Sequence, residues 1–184
     1  MRLFVAVRFP DEFLRGLTEC QKSLKKAAAL ADGWETRANF SRAENLHLTL
    51  AFIGEREEAQ STVKALEAVR FNPLRISCGG LRKFGDTLVI GVRDGGECAK
   101  LAESVRRALD GAGIPYDGKP FVPHITLARK FVSGLPDGAS LFLPDAGAAV
   151  KTFSLMKSER INGVLTYTEL WRSDPRKSLK QSDF

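Results

Sequence analysis

The chain has only two histidines in 184 residues, and both sit in the same four-residue string: His47-Leu48-Thr49-Leu50 and His124-Ile125-Thr126-Leu127. The strings lie 77 positions apart, 124 minus 47. Each follows the same succession of an apolar stretch of strand length and a long amphipathic stretch of helical period. A spacing of this size is too long for a solenoid repeat and fits a lobe duplicated within one chain. This repeat constrains the fold more than any other feature, because both tetrads must occupy equivalent places in matching halves.

The remaining patterns supply the elements. Arg2 to Phe9 is apolar on both faces, as a central strand covered on both sides would be, and Pro10 ends it. From Asp11 the period changes: Leu14, Leu17, Cys20, Leu24, Ala28 and Ala31 recur at three- and four-residue steps and predict a long helix. Asp11 and Glu12 suit its N-terminal dipole, and Gly33 is the expected stop. Cys98, Leu101, Ala102, Val105, Leu109 and Ala112 predict a second long helix, closed by Gly111 and Gly113. A short helix is expected near 57–69, and strands at 46–53, 74–78, 87–92, 122–128, 150–157 and 164–172. Gly85-Asp86 reads as a hairpin turn, and Gly79-Gly80 and Gly95-Gly96 as turns between elements. Helices and strands do not strictly alternate, which predicts an α+β fold with a largely antiparallel sheet. The polar, aperiodic stretch from Arg172 reads as a tail, leaving 1–171 as one bilobal domain and 172–184 outside it.

Composition narrows the setting. A chain of this length buries enough surface to fold without disulfides or a structural metal. Cys20, Cys78 and Cys98 are odd in number and widely spaced, which fits a reducing compartment and hence a cytoplasmic location. No apolar run approaches the roughly 18 residues of a membrane span, so no membrane association is expected, and the N-terminus lacks a small-residue cleavage site. The excess of 28 Lys+Arg over 22 Asp+Glu gives a net charge of +6, which suits an anionic partner without choosing between a nucleic acid and a merely solvated basic face.

Strand parity puts His47 and Thr49 on one face with Leu48 and Leu50 behind them, and His124 and Thr126 on one face with Ile125 and Leu127 behind. Each tetrad presents an imidazole and a hydroxyl together. Imidazole titrates near neutrality, so a pair divides proton work between nucleophile and leaving group, while the threonine hydroxyls donate to phosphate oxygens. That is a chemical description of metal-free phosphodiester cleavage. A lone strand histidine is usually a satisfied structural residue; both histidines in one repeated tetrad are poorly explained that way. Two imidazoles with no third Cys, Asp or Glu at ligand spacing make no zinc site, and the phosphate-cradling GxxxxGK[ST] is absent. No metal or cofactor is expected.

With these residues in view, the chain resembles the two-histidine (2H) phosphoesterases, and within them the RNA 2′,3′-cyclic phosphodiesterase branch, also called LigT-like 2′-5′ RNA ligases. RLFVAVRFP looks like the family's opening strand, ENLHLTLAFIGE (44–55) and FVPHITLAR (121–129) like its two motifs, and SERINGVLTYTEL (158–170) like its C-terminal hairpin. The resemblance implies a bilobal, duplicated α+β fold, with two largely antiparallel sheets facing across a central cleft and helices packed outside. It implies hydrolysis of an RNA-terminal or nucleoside 2′,3′-cyclic phosphate to a 2′-phosphomonoester by a monomer. His47 would be the proton donor, His124 the proton acceptor, and Thr49, Thr126 and Arg129 the phosphate ligands. Arg129 lies five residues from His124, so in a regular strand it points away from the cleft; its role requires a bulge or an early strand end. Family members often carry Arg-Trp where this chain has Asn39-Phe40, which alters any substrate contact made there. Phe9, closing the first strand, is a candidate for stacking a base, with core filler as the competing reading. The same acid and base would serve 2′-5′ ligation of RNA ends such as tRNA halves, and an RNA-binding module with a dormant site is the alternative from another class.

Overall fold

A computed structural model describes residues 1–30, 38–131 and 147–174. Strand β1 (Arg2–Val7) occupies the middle of one half, as its unbroken apolar run predicts. Leu3, Val5 and Val7 enter the main core, while Phe4 and Ala6 meet Met156 on the opposite face. Helix α1 (Asp11–Leu30) follows and buries Phe13, Leu17, Cys20 and Leu24; its expected stop at Gly33 lies outside the described residues. Then come β2 (Asn39–Phe40), a 3-10 turn at Ala43–Asn45, β3 (Leu48–Glu55) and α2 (Gln60–Leu66). The second half has β4 (Leu74–Phe84), β5 (Thr87–Arg93), α3 (Glu97–Gly111) and β6 (His124–Arg129). Three strands finish the described chain: β7 (Gly147–Val150), β8 (Ser154–Ile161) and β9 (Val164–Arg172).

The strands form one sheet in the order β7-β4-β5-β6-β3-β1-β8-β9, every pair antiparallel, with β2 added beside β6. The order is symmetric about its middle. Reading outward from the centre, β3-β1-β8-β9 in one half matches β6-β5-β4-β7 in the other. The two sheets expected across the cleft are therefore continuous, joined edge to edge where Leu48 of β3 pairs with Ile125 of β6. The sheet curls into a half-barrel with the helices outside. Each long helix crosses to the other half's motif strand: Gln21 of α1 donates to Leu127 O of β6 at 2.9 Å, and α3 packs on β3. No helix among the described residues is long and apolar enough to cross a membrane.

Three expectations are corrected. The strand read at 150–157 is two strands, β7 on β4 and β8 on β1, at opposite ends of the sheet; an apolar alternation does not reveal the corner where a chain changes lobes. Gly79-Gly80 is not a turn but lies inside β4 at a register shift, where a Cβ on Gly79 would stand 3.0 Å from Gly91 O. The first residues of the stretch read as a tail belong to the fold: Arg172 ends β9, and buried Ser173 exchanges hydrogen bonds with the Phe153 backbone at 2.9 Å. Residues 175–184 lie outside the described part.

Candidate active site

The junction of β3 and β6 builds the site. Continuing the Leu48–Ile125 register by one residue each way sets His47 opposite Thr126 and Thr49 opposite His124. All four side chains take the face that Leu48 and Ile125 leave, since those two are buried behind. The two imidazoles are held in the same way. His47 Nδ1–H donates to Asn45 O at 2.7 Å, and His124 Nδ1–H donates to Val122 O at 2.6 Å. A carbonyl only accepts, so each neutral ring carries its proton on Nδ1 and leaves Nε2 as the basic atom. His47 Nε2 meets the Thr49 hydroxyl at 3.0 Å. Asn45 is itself buried and donates to Leu165 O at 2.9 Å, tying the loop before His47 to β9.

The surroundings treat charge on His47 unfavourably. Its ring packs against Phe4 and Tyr167, centroids 4.9 and 5.2 Å away. Burial lowers its pKa from 6.5 to about 4, and the nearby Arg129 and His124 push the same way, against the bond to Asn45. Burial also raises the Tyr167 phenol.

Arg129 faces the cleft by means of a bulge. On β5, Val89 pairs with Thr126 but Leu88 with Ala128, so Leu127 is an extra residue on β6. Leu127 and Ala128 are both buried, the parity flips, and Arg129 rejoins the face of His124 and Thr126, lining a cavity with His47. The first motif has the same device: Ala6 pairs with Thr49 but Val5 with Ala51, leaving Leu50 extra. Phe52 thereby takes the place in β3 that Arg129 takes in β6. The repeat is thus a hexad, HLTLAF and HITLAR. Its Leu-Ala doublet, twice breaking the alternation, was the sequence signal for both bulges.

Asn39 and Phe40 of β2 pair with Arg129 and Ala128 and line the cleft, so the departure before the first motif does fall at the site. Phe9 does not. It is 8 % exposed and packs on Phe13 with centroids 4.9 Å apart, so it has no face to offer a base. Sequence reasoning missed Arg2, Phe4, Arg160 and Tyr167, which complete the His47 side. Among the described residues no three His, Cys, Asp or Glu side chains converge as metal ligands.

Comparison with known proteins places the chain in a family and a fold. The family model of the 2′-5′ RNA ligase superfamily matches residues 9–162. The RNA 2′,3′-cyclic phosphodiesterase of Archaeoglobus fulgidus is 33 % identical over 136 residues, 70 % of this chain and 72 % of that protein. The crystal structure of TT0787 from Thermus thermophilus matches with a TM-score of 0.74 and 30 % identity, covering 96 % of this chain and 98 % of the other. LigT of E. coli complexed with 3′-AMP matches with a TM-score of 0.68 and 25 % identity, covering 93 % and 95 %.

Proposed function

This chain belongs to the 2′-5′ RNA ligase superfamily, and from that premise we propose that it is an RNA 2′,3′-cyclic phosphodiesterase, opening a terminal cyclic phosphate to a 2′-phosphomonoester. The observation that carries the reading is the matched pair of imidazoles, each with Nδ1 pinned to a carbonyl two residues back and a threonine hydroxyl beside or across from it. Relatives of this chain carry that activity in their names, and the E. coli neighbour holds a nucleotide with a 3′-phosphate.

In the proposed reaction, His124 Nε2 takes a proton from water as its oxygen bonds to phosphorus. The bond from phosphorus to the 3′ oxygen breaks, and His47 Nε2–H protonates that oxygen, leaving a 3′-hydroxyl and a 2′-phosphate. Thr49, Thr126 and Arg129 hold the phosphate oxygens and take up charge as it builds on them. The proton balance closes within the imidazole pair, so the step needs no metal. A single copy in the cytoplasm suffices for this chemistry, and the three cysteines are free and buried.

The test is hydrolysis of a 2′,3′-cyclic nucleotide and of a cyclic-phosphate-ended RNA after treatment with EDTA. Expected are full activity, a 2′-phosphate product, and a loss of about 10²–10⁴-fold in kcat for His47→Ala and for His124→Ala. Activity lost to chelation and restored by zinc would overturn the metal-free reaction, and unchanged turnover in either variant would remove that histidine from its role.

A further inference from the structure

The cleft has two chemically different walls. On the His47 side, Arg2 of β1 pairs with Ser158 of β8, and Ser158 with Tyr167 of β9, making one row across three strands. Arg160 and Leu165 make the next row. Arg2 and Arg160 share a cavity of about 340 Å³ with His47, Thr49 and Arg129, and no carboxylate lines it. Arg2 is held over the Phe52 ring, 4.9 Å from its centroid. Arg160 is steadied by donating Nη1–H to Gly163 O at 2.8 Å, in the tight turn between β8 and β9 where Asn162 and Gly163 both have positive φ. Neither guanidinium pairs with a carboxylate among the described residues.

The wall beside His124 is apolar. Phe84 and Val122 are exposed there, and the Phe84 ring stands edge-on to His124 with centroids 5.1 Å apart. Two of the cations there are engaged: Arg106 donates to Lys119 O and lies over Tyr116, and Lys119 pairs with Asp117 at 3.1 Å, while Arg82 stands beside Gly91, the residue paired with His124. A polyanionic chain therefore finds Arg2 and Arg160 together in one cavity beside His47. Guanidinium matches phosphate oxygens through paired N–H donors, which makes a backbone phosphate the natural ligand.

We infer that Arg2 and Arg160 bind the phosphate on the 5′ side of the terminal nucleotide, so that the RNA enters along β1 and β8. This rests on the proposed reaction. There the leaving 3′ oxygen sits at His47, the ribose lies against the His47 wall, and its 5′ oxygen leads to the next phosphate. A cyclic mononucleotide with a 5′-hydroxyl lacks that phosphate. The protein therefore works better on an oligonucleotide end than on the cyclic mononucleotide, and the two arginines are the source of the difference.

The experiment compares a 2′,3′-cyclic mononucleotide with a trinucleotide ending in the same cyclic nucleotide, for the wild-type chain, Arg2→Gln and Arg160→Gln. Both arginines are exposed, so the variants are expected to fold, which circular dichroism checks. The expected result is that each variant raises the trinucleotide-to-mononucleotide KM ratio about fivefold or more. Each should also flatten the fall of log kcat/KM with log salt for the trinucleotide by about 0.7, the value for one contact to a single strand. An unchanged ratio in both variants overturns the inference and leaves the phosphodiesterase reading standing. A ratio that moves instead with Phe84→Ser also overturns it, because the chain then runs along the apolar wall. No hydrolysis of either substrate by the wild-type chain overturns both readings together.

Discussion

At the scale of single residues, His47 poses the sharpest chemical question, because the proton donor we propose has to be charged and its surroundings keep it neutral. In the free protein, burial lowers its pKa to about 4, with Arg129 and His124 adding to the effect. An anionic phosphate between the two histidines reverses the local sign, since an opposite charge nearby favours the protonated ring. Nuclear magnetic resonance titration of labelled histidine should find His47 near 4 without ligand, and higher by about one unit or more with inorganic phosphate bound. A value still near 4 with the anion present would exclude His47 as donor and pass that role to His124. The same shift acts on stability. The unfolded chain binds its proton at the ordinary value near 6.5 and the folded chain only near 4, so folding loses stability as pH falls through that window. His47→Gln, which cannot charge there, should show a smaller drop in Tm between pH 6.5 and pH 4 than the wild-type chain.

At the scale of elements, the geometry of the cleft depends on strand irregularities as much as on strands. The bulges after Thr49 and Thr126 re-aim Phe52 and Arg129 into the cleft, and the shift at Gly79 in β4 sits against Gly91 of β5, the residue paired with His124. Alanine at Gly79 would put a methyl group 3.0 Å from Gly91 O and 3.2 Å from its carbonyl carbon, both backbone atoms that cannot swing aside. Gly79→Ala should therefore cost about 1–3 kcal/mol in urea unfolding. It should also lower kcat by displacing the strand that supports His124, while Gly80→Ala, with nothing within 4 Å, should do much less to kcat. Equal effects at the two positions would show that the close approach at Gly79 is unimportant. The tetrads and the two long helices were legible from periodicity, and the β8–β9 hairpin from the family resemblance. For the bulges the sequence carries only the Leu-Ala doublet that breaks the alternation: a bulge is defined by its partner strand, and the partners of β6 and β3 lie far away in the chain.

At the scale of the whole molecule, the halves are joined by the pairing of both β3 and β2 with β6 and by two helices that each reach the other half's motif strand. Helix α1 also packs on its own half, at Phe9 and the 3-10 turn, so it bridges the two halves rather than belonging to one. The expected consequence is a single cooperative urea transition, with far-ultraviolet circular dichroism and Trp171 fluorescence in a Trp34→Phe background giving coincident midpoints. Two separated midpoints would mean that the lobes fold independently. The sequence by itself determined the duplication, the paired imidazoles and hydroxyls, and the strand parity that turns them the same way, because these depend on local period and on residue identity. Only the tertiary structure decided that the two sheets are one. It likewise decided that Phe9 is core rather than a stacking surface, that Arg129 faces the cleft with His47, and that Arg2 and Arg160 stand beside His47. Each of those facts rests on contacts between residues distant in sequence, where alternation along one strand carries no information about which strand lies next to it.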